Sequence, residues 1–274
     1  DIHLGVRGSG HAETYRRYAV DELPLPASAA DDLHDKPNIY RRSARTYRDL
    51  SLREHREALA CYYASITEID ACFGRLLERV EAAGQLQDTI VLLCADHGDL
   101  MGAHGLWTKN FGAFEEVYRI PLVFAGPGIA SGATCAGRMG LQDLGPTLCT
   151  LADAAAMPAT DGSDRSHLLR SPADLQEADR VGYAEYFGGR YILSQRIHWR
   201  DDWKYVFNGF DWDELYDLAA DPDEMCNRIE DPDCRETAED LMRSIWRIIE
   251  DSGDHSLGRS AYPPLRLGIV GMRA

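Results

Sequence analysis

Apolar and polar positions change period several times along the chain, and each change marks an element. After Ser51, apolar residues recur at intervals of three and four (Leu59, Tyr62, Tyr63, Ile66, Ile69, Phe73, Leu76, Leu77, Val80), which predicts one long amphipathic helix ending near Gly84. Ser51-Leu-Arg-Glu54 opens that helix as a capping box. Gln85 to Asp88 then turn the chain into Thr89-Ile-Val-Leu-Leu-Cys-Ala95, a wholly apolar run that stops at Asp96-His97-Gly98. Such a run predicts a buried parallel strand, and a helix-then-strand unit is typical of α/β sheets. Ile120 to Ala125 reads as a second strand, placed toward an edge by Pro121. A further helix is expected from Asp143 to Ala155, with Pro146 in its first turn.

Outside this block the pattern differs. Residues from Asp1 to about Leu50 are rich in Pro, Gly and charge and read as a long surface loop that builds little core. Residues 157 to 175 read as a linker. Beyond them come short strands at Val181 to Phe187, Tyr191 to Arg196, Trp203 to Phe207 and Glu214 to Leu218, spaced for an antiparallel sheet. Leu241, Met242, Ile245, Ile248 and Ile249 stripe a helix from Ala238 to Asp251 that should pack on it, and the tail from Ser252 is loop-like. The expected organisation is an α/β unit over residues 1–160 and a smaller α+β unit over 176–274.

Composition narrows the function classes. A chain of 274 residues has ample core, and a net charge of -16 argues against nucleic acid or an anionic membrane as partner. Any anionic ester must then be held by local positive charge, metal or amide dipoles. Seven cysteines without a C-x-x-C pair fit neither a disulfide framework nor a zinc ribbon, and Cys94 reads as a small core residue. No apolar run approaches the roughly 18 residues of a membrane span. The opening Asp1-Ile-His-Leu-Gly resembles neither an initiator Met nor a signal sequence, so the beginning looks cut and the compartment stays open, cytoplasm favoured over periplasm. The acidic residues of 211 to 240 read as a solvated face. An EF-hand at Asp221 fails on Pro222 and a missing glycine, and Gly5-Val-Arg-Gly-Ser-Gly10 reads as a disordered terminus, since no strand precedes it and no Lys follows.

The candidate chemistry sits at the end of the apolar strand. Asp96 and His97 emerge where the strand breaks into a glycine turn, so adjacent side chains can converge on one ion. Lys109, in the Gly and aromatic context of Gly102-Ala-His-Gly-Leu-Trp-Thr-Lys109, can present an ammonium to an oxyanion. By residue type and spacing alone two blander readings stand beside these. Asp96 can cap the turn with a hydrogen-bonded His97, and Lys109 can be a surface residue.

From Tyr62 to Leu151 the chain resembles the sulfatase family of the alkaline phosphatase superfamily. The matching pieces run in the family's order: Tyr63 to Arg75, Ala95-Asp-His-Gly-Asp99, Gly102 to Lys109, Phe114-Glu-Glu-Val-Tyr-Arg-Ile-Pro-Leu-Val123 and Asp143-Leu-Gly-Pro-Thr-Leu148. Trp203-Lys-Tyr-Val206, Glu214-Leu-Tyr-Asp-Leu218, Asp221-Pro-Asp-Glu224 and Asn227 match its closing signature. The resemblance implies an alkaline-phosphatase-like sandwich, here lacking its amino-terminal strands, with a smaller antiparallel sheet plus helix. It implies hydrolysis of a small sulfate ester by a hydrated formylglycine beside one divalent cation, calcium first, with magnesium or manganese as alternatives. Asp96 and His97 match metal ligands, Lys109 the sulfate-contacting catalytic lysine, and His104, in the same loop, a residue of the substrate pocket or of the layer that supports it.

The departures are as informative. No Cys here is followed by x-Pro-Ser-Arg, and the paired aspartates that open the family's sequence are absent. The formylglycine and half of the metal site are therefore expected outside this chain, which alone should be inactive. Two arrangements compete: the carboxyl-terminal part of a sulfatase, completed by an amino-terminal piece or a homo-oligomer, or a non-catalytic module that binds an anion or a partner. A phosphonate monoester or phosphodiester hydrolase is the alternative within the enzyme reading, kept alive by Asp96-His97. The first arrangement predicts a raw apolar sheet edge and an exposed helix face.

Overall fold

The computed structural model describes residues 9–109, 112–188, 193–209, 211–254 and 269. Helix α1 (Ser9–Tyr15) and helix α2 (Asn38–Ala44) lie in the stretch that reads as loop from sequence. That stretch also supplies core: Leu33 and Tyr40 are buried against Leu100, Leu106 and Phe114, and Lys36 and Ser28 are buried with them. The expectation of little core is corrected here. Isolated apolar residues among prolines carry no period, yet they fill a core built by distant elements. The Gly5–Gly10 expectation falls largely outside the described residues, with Ser9 and Gly10 opening α1.

Helix α3 (Leu52–Ala82) follows the sequence pattern closely: Ser51 Oγ accepts from Glu54 N, and the Glu54 carboxylate accepts from Ser51 N at 2.7 Å. Its first half buries Leu59, Ala60 and Ala64, whereas Ile66, Ile69 and Leu76 on the continuing stripe stay exposed. Strand β1 (Val91–Cys94) follows, then the short helix α4 (Glu115–Tyr118) and strand β2 (Leu122–Ala125). Here the parallel reading fails, because β1 pairs antiparallel with β2, Leu93 opposite Val123 and Cys94 opposite Leu122. An apolar run reports what a strand prefers to face, not the direction of its neighbour. Burial fails too: Leu93 is 38% and Val123 55% exposed, and Cys94 is an exposed thiol, not a core residue. The exposed strand and helix faces match the raw apolar surfaces expected above.

Helix α5 (Leu141–Leu151) starts two residues earlier than expected, so Pro146 lies inside the helix and removes a donor there. Helix α6 (Ser166–Arg170) interrupts the expected linker and buries Leu168. The second sheet is an antiparallel meander of β3 (Val181–Tyr186), β4 (Gln195–Arg200), β5 (Trp203–Asn208) and β6 (Glu214–Asp217), in that order. Strand β4 sits later than Tyr191 to Arg196, because its first residues, Gln195 and Arg196, are polar yet fully buried and so break the sequence pattern. Helix α7 (Arg235–Ser252) lays Leu241, Met242, Ile245 and Ile249 against Tyr205, Phe207 and Leu215. Of the tail, residues 253, 254 and 269 are described; Gly253 ends α7 in the left-handed conformation. No helix among the described residues is long and apolar enough to cross a membrane.

The acidic stretch is not simply a solvated face. Glu214 and Glu224 are fully buried with Lys204, whose ammonium contacts Glu224, lies 3.3 Å from Glu115 and donates to the Ala113 carbonyl at 2.5 Å. Glu224 in turn accepts from the Glu115 amide at 2.6 Å. The meander is thus fastened by charge to the segment that follows Lys109.

Candidate active site

Backbone geometry brings the three sequence-singled residues together. Beyond the last ladder pair the two chains stay close, and Gly98 N donates to Val117 O at 2.8 Å. A Cβ at position 98 would lie 1.8 Å from the Glu116 carbonyl oxygen, so only glycine permits this approach. Asp99 Oδ1 then accepts from the amides of Met101 and Thr108 at 3.1 and 3.2 Å, and Leu100 N donates to Thr108 O at 3.3 Å. These bonds close the neck of the 100–108 loop and return Lys109 to the end of β1.

There Lys109 Nζ meets His97 Nε2. His97 Nδ1 donates to the Gly98 carbonyl at 2.8 Å, since a carbonyl only accepts. That bond orients the ring and turns Nε2 toward Lys109 and Asp96 Oδ2, the latter at 3.4 Å. Desolvation pushes the Asp96 carboxyl up, but the nearby His97, amide hydrogen bonds and Lys109 outweigh it and hold the group below its ordinary value. The result is one carboxylate, one imidazole nitrogen and one ammonium at a single point.

His104 is placed differently. Its ring is fully buried, stacks on Phe114 at 3.8 Å and bonds Asp31 through Nδ1 at 2.7 Å. It is not among the residues lining the cavity beside Lys109, and of the two places implied for it the supporting one agrees with this contact, which ties the loop to the amino-terminal stretch. Burial raises the Asp31 carboxyl, and the His104, Leu33 and Lys36 hydrogen bonds and charge bring it below its ordinary value.

Asp96, His97 and Lys109 line one end of an open cavity of about 1440 Å³. Its other walls come from α4 and β2, from residues 129–143, from the α6 region and from the outer face of β3 and β4. Sequence reasoning assigned no role to Tyr118, Arg119, Arg138 or Trp199, which also line it: the first two lie in the matched Phe114–Val123 piece without a chemical signature of their own, and the last two lie in no motif. Trp199 donates to Glu115 at 2.8 Å and lies 5.8 Å from the Tyr118 ring. Arg165, also in the wall, is held by Asp179 at 2.7 Å.

The cation implied by the resemblance finds two donors, Asp96 and His97. A hard divalent cation takes six or more oxygen ligands, and no group of three His, Cys, Asp or Glu poised for a metal occurs among the described residues. The donors among the described residues do not complete such a site.

The sulfatase family model matches residues 17–154, and a second family model, N-sulphoglucosamine sulphohydrolase, C-terminal, matches residues 102–251. A choline-sulfatase from Rhizobium meliloti is 35% identical over 67% of this chain and 35% of its own length. An arylsulfatase K from Gallus gallus is 30% identical over 72% of this chain and 38% of its own. Among solved structures, a putative sulfatase from Bacteroides thetaiotaomicron superposes with a TM-score of 0.76 at 24% identity, covering 87% of this chain and 54% of that one. A phosphonate monoester hydrolase from Silicibacter pomeroyi superposes at 0.74 and 23% identity, covering 88% and 53%. These two show the alkaline-phosphatase-like fold, and the chain spans 35% to 48% of the first five curated relatives it matches. With both family models fitted across the strand-end site and the closing signature, the chain belongs to the sulfatase family.

Proposed function

We propose that this chain forms the carboxyl-terminal part of a sulfuric ester hydrolase and supplies the wall of its active site that holds the sulfate. The convergence of Lys109, His97 and Asp96 at one end of the cavity carries this reading. Lys109 is the point charge for a sulfate oxygen, and its ammonium stabilises the negative charge that builds on the ester as its bond to the leaving group breaks. His97, locked through Nδ1, offers Nε2 as a ligand or hydrogen-bond acceptor, and Asp96 would contribute to the ligand shell of a divalent cation. The remaining donors of such a cation would come from outside the described residues.

A second segment completes the site. The nucleophile motif is absent from the 274 residues, while Ile66, Ile69, Leu76, Leu93 and Val123 expose large apolar side chains, which supports an amino-terminal sulfatase segment packed against α3 and β1. The test is reconstitution. The chain is mixed or fused with the amino-terminal half of a sulfatase relative and assayed on an aryl sulfate and, in parallel, an aryl phosphonate monoester. Turnover of the sulfate by the reconstituted protein only, lost by two or more orders of magnitude in Lys109→Ala, is the expected result. Turnover by the chain alone, or an unchanged rate in Lys109→Ala, overturns it, and preference for the phosphonate shifts the reading to that chemistry.

A further inference from the structure

The cavity is larger than the roughly 300–1,000 Å³ of an ordinary small-ligand site, and the strand-end residues make up only a small part of its lining. Besides Arg165, which Asp179 holds, two arginines stand in its walls. The Cys94–Leu122 pair and the Gly98–Val117 bond bracket Arg119, so the backbone holds it alongside Asp96 and His97. Arg138 is built in from the 129–143 segment. Its amide donates to Asp179 O at 2.7 Å, and its Nη2 donates to the Asp201 carbonyl at 2.7 Å. Its stem crosses β3 where residue 182 is glycine, since a Cβ there would come within 3.2 Å of Arg138 Cδ and 3.4 Å of Trp199.

Neither guanidinium has a carboxylate within ion-pair distance among the described residues. Acids outnumber bases in this chain by 45 to 29, and several other arginines do hold one. Arg165, Arg196, Arg200 and Arg228 each hold an Asp at 2.7 Å or less. Burial holds the Arg138 proton affinity below the ordinary guanidinium value; Glu115, Asp202 and Asp201 pull it up and Arg119 presses it down again. Of those carboxylates, Glu115 is already engaged by Lys204 and Trp199. A half-buried guanidinium with donors to spare, next to a second arginine, is a fork for a planar or tetrahedral anion.

Resting on the sulfatase reading, we propose that Arg119 and Arg138 form a second anion subsite in the cavity that takes a carboxylate or a second sulfate on the organic part of the ester. The substrate class is then a multiply anionic ester, such as an acidic or multiply sulfated saccharide, with the scissile sulfate at Lys109 and the other anion at the arginines.

Calorimetric titration of the full chain tests this with three probes: an amino-sugar monosulfate, the same sugar bearing two sulfates, and a monosulfated disaccharide with a uronic carboxylate. Expected is at least about tenfold tighter binding of one or both dianionic probes than of the monosulfate, and their ranking tells sulfate from carboxylate. Arg119→Gln and Arg138→Gln should each cut that preference several-fold, and Arg138→Lys should restore part of it; circular dichroism confirms folding, and Arg119→Gln, at an exposed position, keeps the test open if Arg138→Gln fails to fold. Equal affinity for all probes, no measurable binding of the dianions, or a preference untouched in both glutamine variants overturns the proposal. Lys109→Ala separates the two readings: it should weaken all three probes alike, and an arginine-dependent preference that persists while Lys109→Ala changes nothing refutes the sulfate site at Lys109 but leaves the second subsite standing.

Discussion

Replacing Lys204 by Met tests how the meander controls the active-site segment. Lys204 is fully buried, and its ammonium contacts Glu224, lies 3.3 Å from Glu115 and donates to Ala113 O at 2.5 Å, with the Trp199 and Tyr216 rings 5.7 and 5.8 Å away. Met fills similar volume without the charge, so two carboxylates lose their cation. Glu224 keeps only the Glu115 amide at 2.6 Å, and Glu115 keeps the Trp199 indole at 2.8 Å. Breaking a buried ion pair from one side costs about 3–5 kcal/mol, because the partner charge stays desolvated. Against a total stability of about 5–15 kcal/mol that is a large fraction. Urea denaturation followed by tryptophan fluorescence should show the midpoint fall steeply. Adding Glu224→Leu should return much of the loss, since an apolar pair in place of a buried ion pair is close to neutral. A single-variant cost under about 1 kcal/mol, or a double variant worse than the sum of the singles, refutes the reasoning.

Two further outcomes follow from burial and close approach. Burial pushes the Asp213 carboxyl up to about 7, so the folded chain keeps a proton that the unfolded carboxylate has lost, and stability from this group fades as pH rises from about 4 through 7. Burial pushes His198 down to about 4, so the folded ring is neutral where the unfolded one is charged, and stability from this group grows as pH rises to about 6.5. The slopes oppose each other between about pH 4 and 6.5, each near 1.4 kcal/mol per unit at most. Asp213→Asn should therefore steepen the rise of the denaturation midpoint with pH, and His198→Gln should tilt it downward; profiles parallel to the parent would show that neither group titrates as described. Gly98→Ala puts a methyl 1.8 Å from Glu116 O and should separate the two chains there, lowering the melting temperature and the affinity for sulfate together; intact binding in a folded Gly98→Ala protein would show that this approach does not set the site.

Residues spaced along one chain segment were legible in the sequence. The period of three and four from Leu59 to Val80 determined α3, and Ser51 with Glu54 determined its start, because a helix end is satisfied by residues three apart. The order of motifs from Ala95 through Lys109 to Asn227 likewise identified the family, and it singled out Asp96, His97 and Lys109, which the structure brings together. Tertiary structure alone decided the direction in which β1 pairs, since an apolar strand serves either. It alone decided that Gln195, Arg196, Lys204, Glu214 and Glu224 are interior. Such residues read as surface until partners far along the chain, such as Ala113 for Lys204 and Tyr40 for Glu214, satisfy their polar atoms. It also set His104 against Phe114, and brought Arg119 and Arg138 to the same cavity. Pattern records what each segment can bury; which charge meets which across some ninety residues is fixed only when the packed elements exclude water and leave each buried group the partner it needs.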